Sequence, residues 1–409
     1  MLSALPPHVE ALVCVLCGCA TVDPMGWSCA ACGPESRMEV VYRTPPVDVL
    51  ARFAARPFDQ FRYRELLPLP ADAILPPVQV GGSPVSAAPR LADWLGVRAC
   101  VVKDDGRNPS ASTKDRPSAV AVVLATAAGA ERVVCASTGN AASSLACLAA
   151  SMHLPATIFV PKRAPAPKLA QLRIFGARVL RVDADYDTTW ALSQRIASRR
   201  PWFNRNCAVN PYLVEGKKTV SLELADQLRE RMPEWVAVSV GDGCTYAGVV
   251  KGLEEAHRVG LIPHVPRVLG VQAEGAQPLV HALDGDGQLR VESAETVADS
   301  IAVGHPRNFV KALHAARRNG GRFVPVADAE ILEGMRQLAR RAGVFAEPAA
   351  AATVAGVRAA VARGIVARGE AVAVLVTGNG LKDTATALTA VDGPEDVPAD
   401  EAAIEAILG

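Results

Sequence analysis

A chain of 409 residues, half of them hydrophobic and 21% charged, is long enough for a two-lobed enzyme or for two to three domains. Its 43 basic and 42 acidic side chains leave a formal net charge of +1, which excludes the broad positive field of a nucleic-acid or anionic-membrane binder. No window reaches the roughly 18 unbroken apolar residues of a membrane span, and Pro6, Pro7, His8 and Glu10 break up any secretory apolar stretch, so a soluble, cytoplasmic protein is expected.

Residues 1–43 are rich in cysteine and lack a long periodic segment, so they need a staple in place of a core. Cys14-x-x-Cys17 and Cys29-x-x-Cys32 are two thiolate knuckles separated by eleven residues, with Gly18 and Gly33 directly after each pair. In a reducing compartment such pairs match a tetrahedral zinc ribbon, with the Met38–Tyr42 run completing its small sheet; unmetallated thiols, or Cys19 as a substitute ligand, are the competing readings. Four thiolates leave no open position, so the zinc would be structural. The other cysteines, Cys100, Cys135, Cys147, Cys207 and Cys244, are scattered and read as reduced, buried thiols.

Residues 44 to about 98, punctuated by Pro57, Pro68, Pro70, Pro76 and Pro77, read as irregular with short helices. Thereafter short β-rich runs alternate with Ala-rich helical ones. The runs at 99–103, 132–136, 157–160, 178–182, 236–240, 268–272 and 372–376 are predicted strands, and those at 115–128, 140–152, 217–230, 246–257 and 349–362 are predicted helices. This alternation predicts an α/β fold of βαβ units in parallel sheets covered on both faces. The acidic tail after Gly393 reads as a surface helix or a frayed end.

Four motifs sit where a strand ends. Asn108-Pro109-Ser110-Ala111-Ser112-Thr113-Lys114-Asp115-Arg116 places a lysine among small residues at a helix start, where the dipole and Arg116 are expected to lower its amine pKa and favour an imine-forming nucleophile. The bland reading is a solvated lysine. Ser137-Thr138-Gly139-Asn140-Ala141 opens a helix whose free N–H groups suit a carboxylate, although such residues are also ordinary caps. Gly241-Asp242-Gly243-Cys244-Thr245-Tyr246-Ala247-Gly248 can wrap a phosphate in backbone N–H groups; a dinucleotide site competes, but the third glycine falls too late for Gly-x-Gly-x-x-Gly. Thr377-Gly378-Asn379-Gly380-Leu381-Lys382-Asp383 follows the last apolar strand. Parallel sheets bind ligands outside the carboxyl ends of their strands, so the four should share one crevice.

Together with Phe61-Arg62-Tyr63-Arg64-Glu65-Leu66-Leu67-Pro68, Gly81-Gly82-Ser83-Pro84 and Asn210-Pro211 through Glu215-Gly216-Lys217-Lys218-Thr219, the set resembles the fold-type-II (tryptophan synthase β-like) pyridoxal 5′-phosphate enzymes, and most closely their threonine synthase-like branch, over nearly the whole chain. The resemblance implies two open parallel-sheet lobes plus an N-terminal zinc ribbon, which related enzymes also often carry: a ribbon module over 1–43 and a catalytic unit over 44–409, with a smaller lobe at roughly 105–212 inserted in the larger. It implies that Lys114 anchors the cofactor as a Schiff base and shuttles protons, and that Asn140 contacts the cofactor's 3′-oxygen. Gly241, Asp242, Gly243, Cys244 and Thr245 would form the phosphate loop, Ser137, Thr138 and Gly139 would bind the substrate carboxylate, and Thr377 would face the pyridine nitrogen. A neutral hydroxyl there makes the cofactor a milder electron sink, which favours elimination and replacement over transamination. A homodimer acting on a small amino acid, without nucleic acid or membrane, is the further expectation.

The activity implied is a lyase reaction, γ-elimination of phosphate from O-phosphohomoserine followed by water addition to give threonine. The alternative is β-elimination or β-replacement on serine, threonine or phosphoserine-like substrates, as in dehydratases or cysteate synthase; a zinc-ribbon protein whose α/β body only binds partners is a third reading. The chain departs from the branch at substrate-phosphate contacts: Leu213 stands where an arginine is common, and Thr245 where an asparagine is. Lys217 replaces a common glutamine and is the candidate compensating cation, with Arg307 a weaker one.

Overall fold

The structure, a computed structural model, describes residues 2–33, 36–164 and 166–408. Its strands are β1 (Val9–Cys14), β2 (Ala20–Thr21), β3 (Met38–Tyr42), β4 (Val85–Ala87), β5 (Ala99–Asp104), β6 (Arg132–Ala136), β7 (Ala156–Pro161), β8 (Arg178–Val182), β9 (Trp202–Asn204), β10 (Trp235–Ser239), β11 (Arg267–Ala273), β12 (Arg322–Val326) and β13 (Ala371–Val376). They form three sheets: an antiparallel one ordered β2-β1-β3, a six-stranded one ordered β12-β11-β10-β13-β5-β4, and a four-stranded one ordered β8-β7-β6-β9. The four-stranded sheet is wholly parallel, and in sequence it lies between β5 and β10 of the larger sheet.

Every residue of β10 and β13 is buried, as strands covered on both faces by helices require, and this is why both read as unbroken apolar runs. In the six-stranded and four-stranded sheets, the strands that periodicity did not reveal lie at the edges, whereas β1, also unpredicted, is the central strand of the small antiparallel sheet. β12 begins with Arg322 and contains Pro325, which an edge tolerates. β9 has three residues, and β4 pairs antiparallel with β5, the exception in a sheet otherwise parallel. The helix expected from residue 217 starts at Tyr212, where the Asn210 side chain accepts from the Tyr212 amide at 3.1 Å directly after Pro211. The acidic tail forms an exposed helix, Glu401–Leu408. Among the described residues no helix is long and apolar enough to cross a membrane.

Two buried charge clusters tie these layers together. In the first, Arg116 reaches both oxygens of Asp105 at 2.6 and 2.7 Å and both of Glu223 at 2.7 and 2.8 Å, while Lys103 reaches Glu223 at 2.8 Å. Two cations and two anions balance there with essentially no solvent contact, and they join β5, the loop after it, the Asp115–Ala127 helix and the Tyr212–Leu228 helix. The second docks the antiparallel sheet. Tyr42 donates to Glu215 at 2.8 Å, Lys218 and Lys251 reach the same carboxylate at 2.5 and 2.8 Å, and the Lys218 ammonium lies 4.1 Å from the Tyr42 ring centre. Opposed charges and satisfied acceptors make such burial tolerable.

Candidate active site

Each motif loop leaves the carboxyl end of a parallel strand. Ser137–Gly139 follow β6 and lead into the Asn140–Ser151 helix, Gly241–Gly243 follow β10 and lead into the Cys244–Arg258 helix, and Thr377 follows β13. Lys114 is the N-cap of the Asp115–Ala127 helix. Its loop is laced to the β13 loop, since the Thr113 amide donates to the Thr377 carbonyl at 2.8 Å and the Asn379 amide to the Ala111 carbonyl at 3.0 Å. One cavity of about 700 Å³ results. Lys114, Ser137, Thr138, Gly139, Asn140, Lys217, Gly241, Asp242, Gly243, Cys244, Thr245 and Thr377 all line it.

The Lys114 ammonium opens onto this cavity but is surrounded by protein, and its pKa is lowered to about 8, first by burial and then by the nearby Lys217 ammonium; Glu347 and Cys207 oppose the shift. A larger fraction of neutral, nucleophilic amine is therefore present near neutral pH than on a solvated lysine. The cause differs from the expected one. Arg116 is turned into its buried ion cluster, so the cations acting on Lys114 are Lys217, which donates to the Thr245 hydroxyl at 3.0 Å, and to a lesser degree Arg205.

Gly243 has φ +87°, and a Cβ there would come within 2.8 Å of the Ala312 Cβ, so only glycine permits this turn. The first helical bond after it runs from the Ala247 amide to the Gly243 carbonyl at 3.0 Å, leaving the amides of Cys244, Thr245 and Tyr246 ahead of the helical ladder. Such a terminus is an anion cradle without a cationic side chain. Asp242 braces it: its carboxylate accepts from the Arg307 amide at 3.2 Å and its carbonyl from the Asn308 amide at 3.1 Å. The Thr377 hydroxyl, uncharged, lies 3.5 Å from that of Ser239.

Several cavity residues carried no sequence motif. Glu347, just before Pro348, takes the Asn140 amide nitrogen at 3.0 and 2.9 Å. Arg205 donates to the Lys114 carbonyl at 3.3 Å, to Ser118 at 3.0 Å and to the Cys207 thiol at 3.2 Å. Cys207, expected to be buried, is only partly so, and with Cys244 it forms part of the cavity wall. Arg307 reaches the cavity, but its guanidinium lies 4.6 Å from the Trp190 ring centre and is ion-paired with Asp187. Leu213 is fully buried in the hydrophobic core and does not line the cavity.

At the other end, one sulfur from each of Cys14, Cys17, Cys29 and Cys32 lies within 4.8 Å of the others, while Cys19 is exposed and outside the group. Four clustered thiols are a donor set suited to a tetrahedral, soft metal ion.

A lysine amine with a lowered pKa, an anion cradle and an uncharged hydroxyl around one cavity define an enzyme built to hold an aldehyde cofactor bearing a phosphate. The profile of the family described as pyridoxal-phosphate dependent enzymes matches residues 78–378. The threonine synthase of Methanosarcina acetivorans is 35% identical over 404 residues, 97% of this chain and 98% of that protein. That of Mycobacterium leprae is 38% identical over 350 residues, 85% and 94% respectively. In fold, the processed form of threonine deaminase isoform 2 from Solanum lycopersicum superposes with a TM-score of 0.67 at 21% identity, covering 84% of this chain and 92% of that one. The chain belongs to the pyridoxal-phosphate dependent enzymes, in the threonine synthase-like branch of fold type II, and is a lyase of that class.

Proposed function

We propose that this lyase eliminates phosphate from O-phosphohomoserine and adds water to give threonine. The observation that carries this reading is the Lys217 ammonium, set between Lys114 and the Gly241–Thr245 loop, with Thr245 as its hydrogen-bond partner. It supplies at the cavity wall the cation that Leu213, sunk in the core, does not. Pyridoxal phosphate, when bound, supplies the electron sink for the carbanionic charge that elimination generates. Lys114 holds the cofactor and moves the proton at Nζ; Asn140 donates to the 3′-oxygen. Gly241, Asp242, Gly243, Cys244 and Thr245 hold its phosphate through backbone N–H groups, and Thr377 faces the ring nitrogen. Ser137, Thr138 and Gly139 take the substrate carboxylate. In this proposal residues 1–43 are a structural zinc module on Cys14, Cys17, Cys29 and Cys32. Residues 44–409 are the catalytic unit with a smaller lobe at roughly 105–212, and the protein is a cytoplasmic homodimer.

The buried Leu213 also favours a second reading, β-elimination or β-replacement on serine, threonine or a phosphoserine-like substrate, since one lysine replaces a fork of donors. Purified protein is assayed with O-phosphohomoserine for phosphate and threonine, alongside serine, threonine and phosphoserine. If O-phosphohomoserine is the substrate, Lys217→Ala raises its KM by about 30- to 1000-fold, because a charged partner is lost from a desolvated site. Release of no phosphate refutes the first reading; good turnover with an unchanged KM in Lys217→Ala removes Lys217 from it.

A further inference from the structure

Glu347 is the N-cap of the Pro348–Ala362 helix, its amide donating to the Gly378 carbonyl at 3.0 Å. That helix packs on the six-stranded sheet, yet the side chain reaches across to the helix that follows β6 in the four-stranded one. Both carboxylate oxygens accept from Asn140 Nδ2, at 3.0 and 2.9 Å. The fit is tight on the other side as well, since a Cβ on Gly378, next to Thr377, would come within 2.4 Å of the Glu347 carboxyl carbon. The residue is 5% exposed and borders both the Lys114 cavity and a neighbouring one of about 450 Å³. Burial raises its carboxyl above the usual range, against the opposing effects of the Asn140 amide and the Lys114 and Lys382 ammonium groups; Asp299 adds to the rise.

A carboxylate accepts and does not donate, so it selects the one rotation of the Asn140 amide in which Nδ2, and not Oδ1, lies on its side. An amide nitrogen carries two hydrogens: one serves Glu347, and the other, which meets the Ser300 hydroxyl only at 3.3 Å, can turn to a second acceptor. Turned the other way, the amide oxygen would take the place of the donor and repel an anionic oxygen. We propose that Glu347 is a positioning residue that holds the Asn140 amide in its donor orientation and joins the two sheets across the Lys114 cavity. The inference rests on the reading that Asn140 donates to the cofactor's 3′-oxygen.

Glu347→Gln and Glu347→Met conserve side-chain length, and only the first keeps an acceptor oxygen. Cofactor dissociation constants, the pH titration of the visible absorbance band and kcat against KM are measured for both, for Asn140→Ala, and for the Asn140→Ala/Glu347→Met double variant, with the thermal midpoint of each as a folding control. Glu347→Met is expected to weaken cofactor binding about tenfold or more, as Asn140→Ala does. The double variant should be no weaker than Asn140→Ala alone, because one residue acts through the other. Glu347→Gln should stay within about threefold of wild type in affinity, while its visible band titrates at lower pH because a negative charge beside Lys114 is gone. If Glu347→Met does not fold, Glu347→Ala takes its place in the comparison with Glu347→Gln, with the same loss of affinity expected. Normal binding in Glu347→Met with a defective Asn140→Ala overturns the role of Glu347 alone. Normal binding in Asn140→Ala overturns the Asn140 reading and the inference with it.

Discussion

Replacing Arg116 by methionine tests whether the buried ion cluster beneath the lysine loop is held by charge balance. Arg116 and Glu223 are fully buried and Asp105 is 2% exposed. Burial alone would raise both carboxyl groups, and the Arg116 guanidinium overrides it, holding Asp105 and Glu223 below the usual carboxylate range. Arg116→Met leaves two carboxylates facing the single Lys103 ammonium, an uncompensated buried charge that costs about 3–5 kcal/mol. Urea unfolding at pH 7, followed by tryptophan fluorescence, should show a loss of that size. The sign with pH follows from linkage. A depressed carboxylate contributes stability that is present at neutral pH and lost as pH falls through its folded pKa. Without the guanidinium the same groups protonate more readily, so the gap between the proteins narrows as the medium is acidified. Adding Glu223→Leu restores one charge of each sign and should recover a large part of the loss. A deficit under about 1 kcal/mol at neutral pH, or one unchanged by acidification, refutes the reasoning.

With the Lys114 pKa lowered to about 8, the rate of cofactor uptake by cofactor-free protein should climb about tenfold per pH unit below 8 and then level off; a climb continuing to pH 10 would mean an ordinary lysine. Borohydride should fix the cofactor to Lys114, and Lys114→Ala should lose turnover by orders of magnitude, a result excluded if the variant works at wild-type rate without added amine. About one zinc per chain is expected on Cys14, Cys17, Cys29 and Cys32, and substituting one ligand should lower stability while leaving chemistry largely intact; metal analysis of protein purified without chelator checks this.

The sequence by itself determined the α/β class, the central strands of the two larger sheets and the cavity-lining loops, because each is a local signal. A buried parallel strand must be apolar along its length, as β10 and β13 are, and a loop that offers backbone N–H groups to an anion must be small and glycine-rich, as 241–245 is. The cysteine pairs were legible for the same reason, since knuckle spacing is short-range. Edge strands β4 and β9 escaped because three residues are too few to show a period, and β12 because Arg322 and Pro325 interrupt its apolar run. Only the tertiary structure decided which charges meet. Arg116, two residues from Lys114, turns away to Asp105 and Glu223, whereas Lys217 and, to a lesser degree, Arg205, both far along the chain, supply the cations that act on Lys114. Glu347 is 207 residues from Asn140 and meets it because strands from two sheets end at one crevice. Electrostatic partners depend on distance in space, and the chain encodes that distance only through the packing of the whole fold.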